Sequence, residues 1–562
     1  MKKLISVLLS ALMLFSLCSA SVSAAGEKDE LKIAVANDLH YNLSGAAANY
    51  TGSYTEDYQN ALSSGQLKLE NELIIDEFLN RVAASDTDAV LIPGDITDNG
   101  SSAEHIHMAE KISEFEAKTG KQVFVIPGNH DFMQKRTDAQ QFKSIYAPFG
   151  YENAVAVDEE TASYTAELNE EYRLLSIDAT KPGLTQGMTE EVYSFIEQQV
   201  IKADAEGKKL IAMCHYNLLQ HLVLVEVLRK GSMLTSSLNI PELFAKYNVK
   251  FTFTGHTHDH DIAEYTGSNG VTIYDAVTGS LNAHPCTYRV ASFGDKVKIQ
   301  TKKIDSIDTS SLKGKITDAT YTLATENFPE YTKNMIEIGY ERLIRSYLSL
   351  NRIKSLIGLD PQKDAQLISL IDSVFPLFNE AVNMPIYKAD ETEQGKSLES
   401  IGEKYKLCFP KSEHKNFITF ATEIYLSHGY GDENNGILSD NYQLLTSCLT
   451  AILINTLKDV TAEQYTQLMH MACNLLGAQV PVDFLSYAGS GIKKAQGIEI
   501  FITSVAGPLL LEFTTDLDPK DNNVTLDGYT VKVEQPKELT FWEKVVKFFE
   551  DMFAYLLRIL GF

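Results

Sequence analysis

A short apolar run leads directly into a cluster of polar side chains in the stretch Val123-Phe124-Val125-Ile126-Pro127-Gly128-Asn129-His130-Asp131. The same order recurs at Asp38 and His40 after Ile33–Ala36, Asp95 after Ala89–Ile92, His215 after Leu210–Cys214, and His256 and His258 after Phe251–Thr254. These runs are rich in β-branched and aromatic residues and are too short for helices, so they predict buried strands. Polar side chains at strand ends indicate the ligand site of an α/β sheet.

The chain divides into regions of different periodicity. Apolar runs alternate with helix-like stretches from about Leu31 to Ile304, which predicts an α/β domain over residues 31–305. Residues 306–510 carry apolar side chains at three- and four-residue steps, which predicts an all-α domain. Its clearest helical stretches are Asn334–Ile357, Ala365–Val382, Tyr442–Leu457 and Glu463–Leu476. A short β-like segment is expected over 511–535, and it contains turn signals at Asp521-Asn522-Asn523 and Asp527-Gly528.

Both ends of the chain differ from the folded regions. Residues 1–25 combine Lys2 and Lys3 with a short apolar run and small residues, the pattern of an export signal, so we expect a secreted or cell-envelope protein. The pattern of residues 537–562 predicts an amphipathic helix, and its charged residues interrupt any membrane-spanning run. Its apolar stripe either packs on the helical domain or contacts a membrane interface or another apolar surface, and we favour the second alternative.

The charge of the chain restricts its partners. It has 49 basic and 75 acidic residues, a formal net charge of -26 at pH 7. Nucleic-acid polymers are poor partners for such a surface, because binding them requires many Lys and Arg contacts to phosphate. A small phosphorylated substrate remains compatible, since bound metal ions supply local positive charge.

The residue types at the strand ends suit metal ions. Imidazole and carboxylate ligands together, without cysteine, fit Mn, Fe or Zn. These candidate ligands are more numerous than one ion needs. Two divalent or trivalent ions would use all of them and would bind both the attacking and the leaving oxygen of a phosphoryl group. One carboxylate must then bridge them, and Asp95 stands between the two ligand sets in chain order.

Taken together, these motifs resemble the complete motif set of the calcineurin-like metallophosphoesterases. The motifs are Asp38-x-His40, Gly94-Asp95, Gly128-Asn129-His130-Asp131, His215 and Gly255-His256-x-His258. The resemblance implies a sandwich of two mixed sheets flanked by helices, and a hydrolase whose nucleophile is a metal-bound hydroxide. It also implies ligand roles: Asp38, His40 and His258 hold one metal, Asn129, His215 and His256 hold the other, and Asp95 bridges. His130 would be a non-ligand catalytic group, which Asp131 would orient through a hydrogen bond.

A narrower similarity concerns the substrate. The segments Gly94–Gly100, Val125–Asp131 and Cys214–His221 resemble bacterial class III cyclic nucleotide phosphodiesterases, as does the appended helical domain, although Tyr216 stands where many relatives have a second His. The resemblance favours cyclic nucleotides among phosphodiesters and phosphomonoesters. Two alternatives stay open: an exported nucleotidase or general phosphatase, and a surface-binding protein with incidental hydrolysis.

Overall fold

The computed structural model describes most of the chain between the two terminal segments. The described residues are 30–43, 62, 65–180, 189–221, 233–234, 239–390, 392, 395–431, 433, 435–515 and 520–529. The predicted export signal and the predicted amphipathic helix at 537–562 lie outside these residues. Within them, no helix is both long enough and apolar enough to cross a membrane.

Two mixed β-sheets form the first part of the fold. The six-stranded sheet has the order β13-β12-β11-β1-β2-β3 and the seven-stranded sheet the order β4-β5-β6-β7-β8-β10-β9. The strands are β1 (Leu31–Val35), β2 (Ala89–Pro93), β3 (Gln122–Ile126), β4 (Ala156–Val157), β5 (Tyr164–Glu167), β6 (Tyr172–Ile177), β7 (Lys209–Cys214), β8 (Phe251–Thr254), β9 (Asp261–Thr266), β10 (Thr272–Val277), β11 (Thr287–Phe293), β12 (Lys296–Lys303) and β13 (Asn523–Asp527). The predicted α/β sandwich is confirmed.

Along the chain, helices come between the strands of this sandwich. They are α1 (Asn71–Ala83), α2 (Ser102–Thr119), α3 (Ala139–Ile145), α4 (Glu190–Ala205) and α5 (Ile240–Lys246). α2 begins at Ser101, whose side chain accepts from the Glu104 backbone N–H, and ends at Gly120 in the left-handed conformation. Apolar side chains of α4 and α5 pack on the seven-stranded sheet in a core of their own.

The second part of the chain is helical, as predicted. Its helices are α6 (Asp318–Glu326), α7 (Phe328–Tyr347), α8 (Leu350–Ile357), α9 (Ala365–Asn383), α10 (Leu398–Gly402), α11 (Phe417–Ser427), α12 (Asp440–Leu457), α13 (Ala462–Leu475), α14 (Phe484–Tyr487), α15 (Gly491–Phe501) and α16 (Gly507–Thr514). The stretch Asn334–Ile357 is two helices instead of one. Ser349 separates them because its extended backbone stops α7 and its side chain accepts from Arg352 N–H at the start of α8.

The helical region is tied to the sandwich at both ends. Strand β13 follows the last helix and pairs antiparallel with β12, so the helices are inserted between two neighbouring strands of one sheet. The pairing places Leu526 opposite Val297, and both are buried in the main core. This arrangement fixes the helices against the part of the fold that carries the strand-end motifs.

Candidate metal centre

The strand-end side chains lie where the two sheets meet. β1, β2 and β3 are parallel neighbours in one sheet, and β7 and β8 are parallel neighbours in the other. Parallel strands present their carboxyl ends at the same edge, so residues far apart in sequence come together there. The structure brings Asp38, His40, Asp95, Asn129, His130, His215, His256 and His258 into one region.

A first cluster consists of Asp38, His40 and His258. The Nε2 atoms of the two histidines are 3.1 Å apart. An Asp38 carboxylate oxygen, Oδ1, lies 3.8 Å from His40 Nε2 and 3.4 Å from His258 Nε2. Two imidazole nitrogens and a carboxylate thus surround one point, an arrangement that suits a cation of intermediate hardness.

A second cluster consists of Asp95, His215 and His256, and Asn129 adjoins it. His215 Nε2 lies 3.3 Å from Asp95 Oδ2 and 3.1 Å from Asn129 Oδ1. Its other ring nitrogen, Nδ1, is 3.0 Å from the Pro93 carbonyl oxygen, to which it donates. That hydrogen bond fixes the ring with Nε2 facing the cluster. Burial lowers the pKa of His215, but Asp95 outweighs burial and raises it to about 9, so a cation bound at Nε2 would take the place of a proton.

Asp95 connects the two clusters. Its Oδ2 atom, which lies beside His215, is also 3.8 Å from His40 Nε2 of the first cluster. Its Oδ1 atom accepts a hydrogen bond of 2.7 Å from the backbone N–H of His130. The carboxylate is therefore fixed in orientation, with one oxygen placed between the two sets of candidate ligands.

His130 lies beside the clusters and borders the cleft above them. Its ring contacts the His40 ring edge-on at a centroid distance of 4.6 Å. Its Nδ1 donates to the Asp98 carbonyl oxygen at 2.6 Å. Burial lowers the His130 pKa, but Asp95 and the Asp98 carbonyl outweigh burial and raise this pKa above its ordinary value. This shift favours the protonated form of the ring.

The predicted hydrogen bond from Asp131 to His130 is wrong. The Asp131 carboxylate accepts instead from the backbone N–H groups of Ile96, Thr97 and Gly128, at 3.1, 2.9 and 2.8 Å. It is fully buried and its oxygens are occupied by the two loops that carry Asp95 and Asn129. Asp131 thus joins these loops, and the Asp98 carbonyl orients His130.

Many of these residues have a strained backbone conformation. Asp38, His40, Asp95, His256 and His258 have φ angles of 52°, 44°, 48°, 72° and 63°. Residues with a Cβ rarely adopt this left-handed region, which costs of order 1–3 kcal/mol at each position. Such strain persists where the surrounding structure enforces it, and here it turns successive polar side chains towards one point.

Glycine is required beside the candidate ligands for space. A Cβ atom at Gly128 would lie 2.2 Å from Asp95 Oδ1, and one at Gly255 would lie 2.5 Å from Asp38 Oδ2. Any larger residue at these positions would displace a carboxylate of the site. Glycine at these two positions therefore lets the backbone approach the carboxylates directly.

The electrostatic environment keeps metal-binding forms available. Burial, reinforced by His130, lowers the pKa of His40 to about 3. Burial and His215 lower the pKa of His256 to about 3 as well. Both rings are neutral near pH 7 and can offer a lone pair, whereas Asp38 is ionised because His258 and His215 outweigh its burial and lower its pKa.

A cleft of about 530 Å³ opens above the clusters, a volume typical of small-molecule sites. His40, Asp95, Asn129, His130, His256 and His258 form its floor. The sequence analysis missed the residues that line the rest of it, which are Gln66, Lys68, Asp98, Asn99, Met133, Tyr340 and Leu343. Asp98 and Asn99 lie within the quoted segment Gly94–Gly100, but no sequence signal singled out Tyr340 or Leu343, which come from α7.

The comparison with protein families agrees with this geometry. Residues 31–260 match the family model described as calcineurin-like phosphoesterase. This part of the chain is a calcineurin-like phosphoesterase domain. The match contains every strand-end motif, from Asp38 to His258. The domain makes the chain a metal-dependent phosphoesterase, as predicted.

Solved structures give more distant likenesses. A dimetal phosphatase from Danio rerio aligns with 11% identity and a TM-score of 0.34, covering 49% of this chain and 96% of that one. A purple acid phosphatase from yellow lupin seeds aligns with 14% identity and a TM-score of 0.34, covering 50% and 52%. A predicted phosphoesterase from Streptococcus pneumoniae aligns with 12% identity and a TM-score of 0.22, covering 49% and 90%. A search of curated proteins gives no match. These likenesses carry no information on the substrate.

Proposed function

We propose that this chain hydrolyses phosphodiester or phosphomonoester bonds with two metal ions, and that cyclic nucleotides are its preferred substrates. In this proposal Asp38, His40 and His258 hold one ion and Asn129, His215 and His256 hold the other. Asp95 bridges them. The observation that carries the proposal is the position of Asp95 Oδ2, 3.8 Å from His40 Nε2 and 3.3 Å from His215 Nε2.

The donor set fits the implied ions. His40 and His258 direct their Nε2 atoms at each other, and two lone pairs at this distance repel unless a proton or a cation lies between them. A neutral tautomer of one ring can place its N–H there. A cation can also bind there, because Asp38 Oδ1 lies 3.8 Å from His40 Nε2 and 3.4 Å from His258 Nε2 and supplies an anionic ligand. When bound, two such ions would lower the pKa of water and neutralise charge on the phosphoryl group.

The residues of the chain have separate tasks in this reaction. His130 Nε2 is placed to give a proton to the departing oxygen, while the Asp98 carbonyl holds the ring at Nδ1. Asp131 keeps the Asp95 and Asn129 loops in register. Asp38, His40, Asp95 and His215 are almost entirely buried, whereas Asn129, His130, His256 and His258 are partly exposed and line the cleft.

The alternatives differ in what they leave unexplained. An exported nucleotidase or general phosphatase would use the same floor and differ only in the cleft above it. A surface-binding protein with incidental hydrolysis has no need of a His130 ring held beside the ligands. We also propose that the protein acts outside the cytoplasm, on the basis of the export signal predicted over residues 1–25.

A substrate and metal panel tests the proposed function. Protein lacking residues 1–25 is assayed against cyclic nucleotides, nucleoside monophosphates and simple phosphomonoesters, with added Mn, Fe or Zn. The proposal expects metal-dependent hydrolysis with the highest kcat/KM for a cyclic nucleotide. Higher values for nucleoside monophosphates would favour the nucleotidase. No hydrolysis under any condition would contradict a phosphoesterase.

A further inference from the structure

Helix α7 belongs to two hydrophobic cores at once. Phe328, Tyr331, Met335, Ile336 and Tyr340 are buried in the main core of the sandwich. Near the end of the helix, Ile344 packs against the separate core of the helical region. The helix is therefore held by apolar contacts on both sides, and its position relative to the sandwich is fixed.

Polar and close contacts reinforce this position. The Tyr331 hydroxyl donates to the buried Glu70 carboxylate, which directly precedes α1. A Cβ atom at Gly65 would lie 2.8 Å from the Tyr340 hydroxyl oxygen, so the helix approaches the backbone there as closely as glycine allows. The Tyr340 ring also meets the Tyr425 ring of α11 edge-on, at 5.0 Å. These contacts place the middle of α7 against the loop that leads into α1.

This position brings apolar side chains to the cleft. Tyr340 and Leu343 of α7 line it together with Met133 of the sandwich, above the floor of candidate ligands. Leu343 and Met133 are half-buried, so each keeps part of its surface facing solvent. Exposed apolar surface gains free energy when an apolar group covers it. A bare phosphate ion offers no such group, whereas the organic part of a phosphoester does.

Lys68 and Gln66 add a polar edge to the same cleft. Lys68 Nζ lies 2.8 Å from Asp98 Oδ2, so its positive charge is held within the cleft by an ion pair. A substrate that combines charged or polar oxygens with an apolar or aromatic group matches this combination of surfaces. Small polar esters would contact only the polar part of the cleft.

We propose that Leu343, with Tyr340 and Met133, forms an apolar wall that contacts the organic group of the phosphoester, so that the helical region determines substrate specificity. This inference rests on the proposed function. The favoured substrate class is phosphoesters whose organic group is apolar or aromatic. The reactive floor comes from the strand ends. Two of the three wall residues come from a helix that follows the α/β domain in the chain, and Met133 comes from the sandwich.

Two diesters that share the same leaving group test whether the apolar wall contacts the organic group. Bis(4-nitrophenyl) phosphate and methyl 4-nitrophenyl phosphate both release 4-nitrophenolate, so the leaving group is the same. Comparing the ratio of a variant with that of the wild type cancels the different intrinsic reactivity of the two esters. If the wild-type protein cleaves only monoesters, benzyl phosphate and methyl phosphate replace them, with phosphate release as the readout. The measured quantity is the ratio of kcat/KM for the aromatic ester to kcat/KM for the methyl ester.

Leu343→Ala should lower this ratio by about tenfold, towards the low end of what a small change in an apolar pocket produces. Leu343→Met should keep it near the wild-type value, because it preserves the apolar volume. Ile344→Ala is the matched control: it truncates a neighbouring half-buried aliphatic residue that packs on the helical core. Its ratio should stay unchanged, even where its stability falls.

The outcomes separate the inference from the proposed function. Wild-type hydrolysis with an unchanged ratio in Leu343→Ala would overturn the wall while leaving the phosphoesterase intact. An equal fall in the ratio for Ile344→Ala would also overturn it, because general loosening of α7 would then be the cause. Failure of the wild-type protein to hydrolyse these esters, while it cleaves nucleotides, would overturn the wall alone. Failure on these esters and on the whole nucleotide panel with Mn, Fe or Zn would overturn both proposals.

Discussion

The Nε2 atoms of His40 and His258 lie 3.1 Å apart although the two residues follow strands of different sheets. His40 comes after β1 and His258 after β8, so the contact exists only because the sheets pack with their strand ends together. Both backbones are left-handed at these residues, with φ of 44° and 63°. The fold thus maintains strained conformations to direct two imidazole nitrogens at one point, which is the arrangement of a ligand site.

His130 has a predicted role that can be separated from metal binding. His130→Ala should slow turnover by about 10²–10⁴-fold, the usual contribution of a positioned acid or base, while bound metal barely changes. A 4-nitrophenyl ester should lose much less than an alkyl ester, because 4-nitrophenolate leaves without a proton. Steady-state rates on both esters check this. An equal loss on both would contradict the general-acid role.

Asp131 is expected to act on the loops and not on His130. Asp131→Ala leaves the buried N–H groups of Thr97 and Gly128 without their acceptor, so the free energy of unfolding should fall by about 1–3 kcal/mol. Bound metal should also decrease as the Asp95 and Asn129 loops separate. Denaturant unfolding and metal analysis measure these effects. If Asp131→Ala instead keeps full stability and metal content and loses activity only on alkyl esters, Asp131 would act on His130, as the sequence predicted.

His221 should make stability depend on pH. Burial lowers its pKa, but Asp275 and Asp261 outweigh burial and raise it from 6.5 to about 10. The folded state therefore keeps a proton that the unfolded chain loses, and the stability from this group is complete below pH 6.5 and disappears as pH rises towards 10. His221→Asn should reduce stability more at pH 6 than at pH 10. Denaturant unfolding of both proteins across this range checks it, and a pH-independent difference would contradict it.

The predicted amphipathic helix at 537–562 should be dispensable for catalysis. Truncation after Gln535 should leave kcat/KM unchanged and remove binding to lipid vesicles, because the apolar stripe must cover some apolar surface. Sedimentation with vesicles and thermal unfolding are the measurements. A large fall in melting temperature, without vesicle binding by the longer protein, would show that the stripe packs on the fold instead.

Sequence reasoning worked best where one short pattern determines both structure and site. An apolar run ending in Asp38 or His215 predicts a buried strand and places the polar residue at its end, because both depend on local order in the chain. The helical periodicity of 334–357 predicted helix but not its interruption, since Ser349 acts through a single capping hydrogen bond.

Features that depend on tertiary packing were not predictable in this way. Leu343 lies at the cleft because α7 packs into the core of the sandwich, and no local pattern marks that contact. The Asp131 error has a similar origin. Adjacency to His130 suggested a hydrogen bond, but the buried carboxylate is occupied by backbone N–H groups of loops brought together by the fold.

The most direct test of the bridging role of Asp95 is the metal content of the Asp95→Ala variant. Both proteins are loaded with the metal that gives the highest activity, desalted, and analysed by inductively coupled plasma mass spectrometry. Because Asp95 Oδ2 lies between the two clusters, we predict two ions per wild-type chain, a clear loss from both sites in the variant, and no activity. Two ions still bound per chain of the variant would contradict the bridging role of Asp95.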